Sequence, residues 1–171
     1  MTGSNPQVHL RAMEPEDLDL LYRIENDVEL WDVGTTSVPY SRYVLHDFLA
    51  SSSGDIYTDK QLRLVVENED AEVVGLLDLC HFDPKHLRSE LGLVIERRWR
   101  QKGYGMEALQ QCLAYARRTL DLHQLYAVVA SDNEAALRLF AGAGFEASAR
   151  LAEWLFDGDG YRDAVVMQRI L

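Results

Sequence analysis

Between positions 97 and 102 the chain reads Arg97-Arg98-Trp99-Arg100-Gln101-Lys102, four cations in six residues, and then Gly103-Tyr104-Gly105-Met106. The rest is acidic: 28 Asp and Glu stand against 17 Lys and Arg, a formal charge of −11. A local reversal of charge ahead of two glycines suits phosphate. Glycine lets unpaired backbone N–H groups at a helix start approach an anion closely, and the helix dipole adds to the attraction. Arg100, Gln101, Lys102, Gly103, Tyr104, Gly105 and Met106 are therefore candidate anion-binding residues. The glycines alone also satisfy the GxGxxA form of the dinucleotide fingerprint, with Asp132 able to imitate its ribose-binding acid. That unit places its first glycine at the end of its first strand. Here a long basic stretch and three strand-like runs come first, and fewer than forty residues follow Asp132. A Walker loop fails because no Gly-Lys-Ser/Thr follows the glycines.

Other reactive residue types are dispersed. Cys80 and Cys112 have no second ligand nearby, and His9, His46, His81, His86 and His123 show neither HExxH nor HxH spacing, so no metal centre is expected. No Cys-His or Ser-His nucleophile pattern is evident. The acidic balance argues against nucleic acid, whose phosphates need a basic surface, and suits a cationic substrate. The first eleven residues lack an apolar block behind basic residues, and apolar runs such as Val73 to Leu77 are too short to span a bilayer. A soluble, cytoplasmic protein without a membrane partner is expected. With 171 residues, 47% of them apolar, the chain fits one domain, residues 1–171.

Val8 to Arg11 alternates like a short strand, and Glu14-Pro15-Glu16-Asp17 marks a helix start whose apolar positions are Leu18, Leu21, Ile24 and Val28. Trp31 to Tyr40 reads as a loop, and Val44, Leu45, Phe48 and Leu49 as a second short helix ended by Ser51-Ser52-Ser53-Gly54. The period then becomes extended: Leu62 to Val66 and Val73 to Leu79 form a hairpin, and Leu91 to Ile95 extends it into an antiparallel meander. A helix with the stripe Leu109, Cys112, Leu113, Ala116 and Leu120 follows. Leu125 to Ala130 is a buried strand, Asn133 to Ala143 a helix, and two more strands lie near Phe145 to Leu151 and Ala164 to Ile170.

Strand, then Arg100 to Gly105, then helix resembles the Q/R-x-x-G-x-G/A motif of the GNAT superfamily of N-acetyltransferases. Asn133-Glu134-Ala135-Ala136-Leu137-Arg138-Leu139-Phe140 is similar to its N-x-x-A/S-x-x-x-Y/F, and Ala143-Gly144-Phe145 to the glycine-aromatic pair beyond. Likeness extends over nearly the whole chain. His86 to Glu90, Leu125-Tyr126 and Gly160 to Asp163 are similar to bacterial spermidine N-acetyltransferases, with ribosomal-protein N-terminal acetyltransferases as cousins. The resemblance implies an α+β GNAT fold, a mixed and mostly antiparallel sheet of about seven strands with helices on both faces. It implies acetyl-CoA as cosubstrate, a small-molecule amine as acceptor, most readily a polyamine or diamine, and a homo-oligomer. The thioester would lie in a V-shaped split beside the strand before the phosphate loop, where Leu93, Val94 and Ile95 offer backbone groups. Asn133, Ala136 and Phe140 would line the pantetheine region.

The amine must be neutral to attack. An alkyl amine with pKa near 10.4 is about 3.5 units too protonated at neutral pH, roughly 5 kcal/mol. Glu90, at the entrance of that strand, is the expected base. Two departures stand out. The spermidine enzymes carry a proton-donating tyrosine at the position of Phe140, and a phenyl ring cannot donate. Water, Tyr126 or release of the thiolate itself must serve instead. They also carry acids before the Pro-Tyr pair, where this chain has Thr35-Thr36-Ser37-Val38. Acids remain close at Glu25, Asp27, Glu29 and Asp32, and of these Glu25, Glu29 and Asp32 are the candidates to hold ammonium groups. Protein N-terminal acetylation and a non-catalytic acyl-CoA-binding regulator remain the competing readings.

Overall fold

The computed structural model describes residues 6–31 and 38–171. Seven strands form one sheet in the order β1-β2-β3-β4-β5-β7-β6. The first four, β1 (Val8–Ala12), β2 (Leu62–Asn68), β3 (Val73–Asp83) and β4 (Arg88–Ile95), are antiparallel neighbours, as the alternating pattern predicts. β5 (Gln124–Ala130) runs parallel to β4, and β7 (Tyr161–Ile170) and β6 (Glu146–Phe156) complete the sheet antiparallel. The expected mixed, mostly antiparallel seven-stranded sheet is thus observed.

Six α-helices among the described residues cover both faces. α1 (Leu18–Glu25), α2 (Val28–Trp31), α3 (Arg42–Ser51) and α4 (Ile56–Asp59) precede β2; α5 (Tyr104–Arg118) joins β4 to β5, and α6 (Glu134–Gly142) joins β5 to β6. The strand period sorts the sheet's side chains between two cores. Leu64 and Val66 of β2, Leu77 and Leu79 of β3, Leu91 of β4 and Leu125 of β5 pack with Leu109, Cys112 and Leu113 of α5. Val65, Leu76 and Val94 turn the other way, onto Leu20, Leu21 and Ile24 of α1 and Leu45 of α3.

Several boundaries differ from the sequence pattern for local reasons. The first helix stops at Asn26, whose side chain accepts the Tyr40 N–H at 2.8 Å and donates to the Tyr22 and Tyr40 carbonyls. Val28 therefore falls in a separate short helix and is exposed. Leu120 lies beyond the end of α5, although it still packs on the main core. The short α4, capped by Asp55 through the N–H groups of Tyr57 and Thr58, has no clear apolar period and was not expected. The last two strands are longer than their apolar cores suggest, because each sustains the other along a hairpin.

The start of α1 is tied to the sheet by charge. Arg11 on β1 donates to Asp17 at 2.7 and 3.0 Å and to Glu67 of β2 at 2.6 Å, while Asp17 accepts the Glu14 N–H at 2.8 Å. Asp17 is buried, and the Arg11 guanidinium holds its carboxyl below the usual value despite burial, which works in the opposite direction. Asp17→Asn is expected to cost about 3 kcal/mol in urea unfolding at pH 7, the order seen when one member of a buried pair is removed. Because the folded-state pKa is depressed, this stability is present above the ordinary carboxyl value of 3.8 and lost as pH falls through the lower folded value. The gap between variant and wild type should therefore narrow in acid; a gap constant with pH would refute the role.

Candidate active site

β4 and β5 pair at only three positions, Arg88 with Gln124, Ser89 with Leu125 and Glu90 with Tyr126. Beyond these they part, although each stays paired on its outer side: β4 to β3 as far as Ile95, and β5 to β7 as far as Ala130. The result is a wedge-shaped opening inside the sheet, with Glu90 and Tyr126 at its apex. The direction of the main chain along β4 follows from two bonds. Leu87 O accepts from the N–H groups of His123 and Gln124, so odd positions face β5, whereas the Glu96 N–H donates to Val74 O, so even positions face β3. By this alternation Leu91, Leu93 and Ile95 present main-chain groups to the wedge. Val94, expected with them, turns its main chain to β3 and its side chain into the α1 core.

Both helices that follow the parting strands begin at the wide end of the wedge. α5 starts after a turn of 3-10 helix at Arg97–Trp99. Gly103 is its N-cap at φ +90°, with no side chain capping the first turn, and Gln101 is also left-handed at φ +60°. The N–H groups of Tyr104, Gly105 and Met106 have no intrahelical acceptor at this position. Arg100 folds back, its Nε donating to Ile95 O at 2.9 Å, which leaves its terminal nitrogens beside the loop. Lys102 lies over the Trp99 ring, 4.8 Å from its centroid. The other two cations of the run are engaged elsewhere: Arg97 with Glu29 at 3.5 Å and Arg98 with Glu96 at 3.8 Å. Arg100 and Lys102 have no carboxylate partner among the described residues. Tyr104 contributes backbone alone, since its ring is buried edge-on against Trp99.

Asn133 caps α6 through Oδ1, which accepts the Ala136 N–H at 3.1 Å. Its amide NH2 makes no hydrogen bond among the described residues. Phe140 is buried and packs edge-on against Phe145, with centroids 5.1 Å apart. It lies in the same core as α5, so the two helix starts and Phe140 share one face of the sheet.

Glu90 occupies the other face. On β3 Cys80 stands opposite it and Asp78 opposite Gly92; on β2 Arg63 stands opposite Asp78. Arg63 donates to Asp78 at 2.5 and 3.0 Å and to Glu25 of α1 at 2.5 Å. Glu25 is thus committed to an arginine rather than open to solvent cations, Glu29 pairs with Arg97, and Asp32 lies outside the described residues. His81 Nδ1 sits 2.8 Å from Glu90 Oε2. Burial first, then the charges of Glu90 and Asp78, push the Cys80 thiol up to about 11, and burial and Glu90 raise the Tyr126 phenol as well. Cys80, His81 and Glu90 bring donor atoms within 4.8 Å of one another, a convergence that their scattered spacing did not suggest. The sequence pattern also missed Asp78, because facing β4 across a ladder leaves no local signal.

A separate groove of about 770 Å³ lies between α5, the end of α6 and β7, lined by Arg117, Arg118 and Arg169. It contains none of the expected site residues. No helix among the described residues is long and apolar enough to cross a membrane.

Residues 7–146 match the family model of the acetyltransferase (GNAT) domain. The chain belongs to the GNAT acetyltransferase family. The spermidine N(1)-acetyltransferase of Escherichia coli K12 is 29% identical over 160 residues, 94% of this chain and 84% of that protein. That of Vibrio cholerae is 27% identical over 159 residues, 93% of this chain and 90% of that protein. The crystal structure of the V. cholerae spermidine N-acetyltransferase in complex with CoA and spermine superposes with a TM-score of 0.86 at 27% identity, covering 96% of this chain and 95% of that one. A dodecameric structure of the V. cholerae enzyme in an intermediate state gives 0.82 at 26% identity, covering 96% and 94%. The chain is an acetyl-CoA-dependent N-acetyltransferase, as the two spaced motifs implied.

In this acetyltransferase a methyl group on Gly103 would meet Pro6 Cγ at 2.9 Å, on a backbone that L side chains rarely adopt. Gly103→Ala is expected to raise the acetyl-CoA KM about tenfold or more. Arg100→Gln should raise it by a similar factor with kcat changed less than threefold, as for loss of uniform binding. Steady-state kinetics with varied acetyl-CoA measures both. An unchanged KM in Arg100→Gln would remove that side chain from the donor site.

Proposed function

We propose that this acetyltransferase moves the acetyl group of acetyl-CoA to a primary amine of a polyamine or diamine, by direct attack within a ternary complex. The carrying observation is the position of Glu90. It stands at the apex of the wedge, on the sheet face opposite α5 and α6, so donor and acceptor reach the thioester from opposite sides. The names of the relatives, spermidine N-acetyltransferases with one structure holding CoA and spermine, support this choice of acceptor. So does the chain's formal charge of −11, which draws a polycation toward it.

On the donor side the coenzyme's pyrophosphate rests on the first turn of α5, with Arg100, Gln101 and Lys102 beside it and Gly103 and Gly105 allowing close approach. Met106, Ala136 and the Asn133 amide border the pantetheine arm. Wedge-facing main-chain groups of Leu93 and Ile95 align that arm, and an N–H aimed at the thioester oxygen stabilises the charge that develops in the tetrahedral intermediate. On the acceptor side Glu90 takes one proton of the ammonium group and the freed amine attacks the carbonyl; as the intermediate collapses the C–S bond breaks, the thiolate departs, and the nitrogen loses its excess proton to water. Phe140 donates no proton, so water, the Tyr126 hydroxyl or the thiolate's own stability completes the step. Glu29 and Asp32, with the Glu25–Arg63–Asp78 cluster, supply the negative field for the remaining ammonium groups. Like chains assemble into an oligomer, as the dodecameric relative suggests.

Release of CoA thiol on incubation with acetyl-CoA and spermidine, spermine, putrescine or a set of N-terminal peptides tests the assignment. Turnover with polyamines well above that with peptides is expected. Preference for peptides would favour the protein N-terminal reading, and tight CoA binding without any turnover a regulator. Glu90→Gln should lower kcat/KM about a hundredfold at pH 7, with the deficit shrinking as pH approaches the amine pKa near 10.4 and free amine becomes abundant. A pH profile that keeps the wild-type shape would remove Glu90 as the base.

A further inference from the structure

β3 contains one residue too many at its end. Leu79 and Phe82 both belong to the core beneath α5, although they are three apart where a regular strand would put only alternate residues on one face. The ladder with β4 slips between Cys80 and Asp83. The inserted residue is His81, whose φ of +50° lies in the left-handed region that non-glycine side chains seldom occupy. The bulge is held from outside. The Phe82 N–H donates to Lys60 O at 3.0 Å, and the Phe82 ring is buried edge-on against Tyr57 of α4, with centroids 4.9 Å apart.

The consequence is local to the acceptor site. On a regular strand His81 would point into the core away from Glu90. The bulge instead brings its Nδ1 to 2.8 Å from Glu90 Oε2, with its own side chain 68% exposed and that of Glu90 25% exposed. A left-handed backbone at a non-glycine residue beside a reacting carboxylate is the kind of strain that persists where surrounding structure fixes it for a purpose.

Resting on the reading of Glu90 as the base, we propose that His81 is a positioning and relay residue: it fixes the reacting carboxylate and passes the substrate's proton from it to solvent. The ammonium group gives its proton to the Glu90 carboxylate, and the amine's lone pair is released for attack. In the resting site the Nδ1–H tautomer of His81 donates to the ionised Glu90. Once Glu90 is neutral, exchange through water moves the ring proton to Nε2, and Glu90 passes its proton to the freed lone pair of Nδ1. The resulting imidazolium loses its Nε2 proton to water, which leaves the starting Nδ1–H tautomer. Imidazole is the side chain suited to this, since one ring nitrogen can accept a proton while the other releases one.

The neighbours do not offer an equivalent path. On β3 the Cys80 thiol is pushed up to about 11 and stays protonated, and Asp78 is held by Arg63 of β2. On β5 the Tyr126 phenol is raised by burial and by Glu90. On β4 Arg88 is turned to Asp83 at 3.2 Å.

The test is chemical rescue. His81→Gly accommodates the left-handed backbone and leaves room for a small buffer base, and His81→Asn, also tolerant of that backbone, is the second variant. Both should keep the wild-type KM for acetyl-CoA, which reports an intact fold, while kcat for spermidine acetylation falls about tenfold at pH 7. In His81→Gly added imidazole at fixed pH and ionic strength should restore kcat in proportion to its concentration. In Glu90→Gln it should not. A kcat within twofold of wild type in either variant, or a low kcat insensitive to imidazole, would overturn the relay. Full activity in Glu90→Gln would instead overturn the base on which it rests, so the two failures are told apart.

Discussion

The rest of the structure depends on a parallel strand pair that is left unfinished. β4 and β5 exchange main-chain bonds from Arg88 to Glu90 and from Gln124 to Tyr126, and then separate. A sheet that opens in its middle leaves main-chain donors and acceptors unsatisfied on both sides, which is unfavourable unless something polar takes their place. What keeps the opening in shape is pairing on the outside, where β3 holds β4 and β7 holds β5 along their full lengths. An extended chain of amides is the complementary filling for such a gap, and on the proposed reading the pantetheine arm of the coenzyme supplies it. The starts of α5 and α6 fall at its wide end because each helix follows one of the parting strands.

The same opening divides the chemistry between two faces. Strand alternation puts Leu91 and Leu93 toward α5 and Glu90 and Val94 toward α1 and α3. On the proposed reading the donor face is consequently apolar beneath a cationic loop, and the acceptor face carries Glu90, Asp78 and Glu25 with Arg63 set between the last two. An acidic surface of this kind gathers polycations, but the acids are not equivalent. Glu25 and Asp78 already share Arg63, so their field acts at a distance, while Glu90 has His81 Nδ1 2.8 Å away and is the one placed at the apex.

Much of this was legible in the chain. The order of strands and helices followed from apolar periods, and the cationic run before Gly103 and Gly105, with Asn133 downstream, pointed to a loop and two helix starts that the structure places at the same end of the sheet's opening. Less legible was which cations remain available. Arg97 and Arg98 read the same as Arg100 and Lys102, yet Glu29 and Glu96 engage the first two. Val94 was likewise indistinguishable from Leu93 until the partner of each main-chain group was known.

The sequence by itself determined the proposed donor half, because its candidate phosphate-binding residues are adjacent in the chain: a turn, two glycines and a helix start are local chemistry. Only the tertiary structure decided what surrounds Glu90. Cys80, His81 and Glu90 meet through a ladder between two strands, and Tyr126 joins them from a third; Arg63 and Glu25 come from further still. Whether His81 faces the core or the Glu90 carboxylate turns on one inserted residue in β3, anchored by Lys60 and Tyr57. A one-residue shift reverses the face of a strand, and the contacts that select it are distant in sequence, so no periodicity announces it.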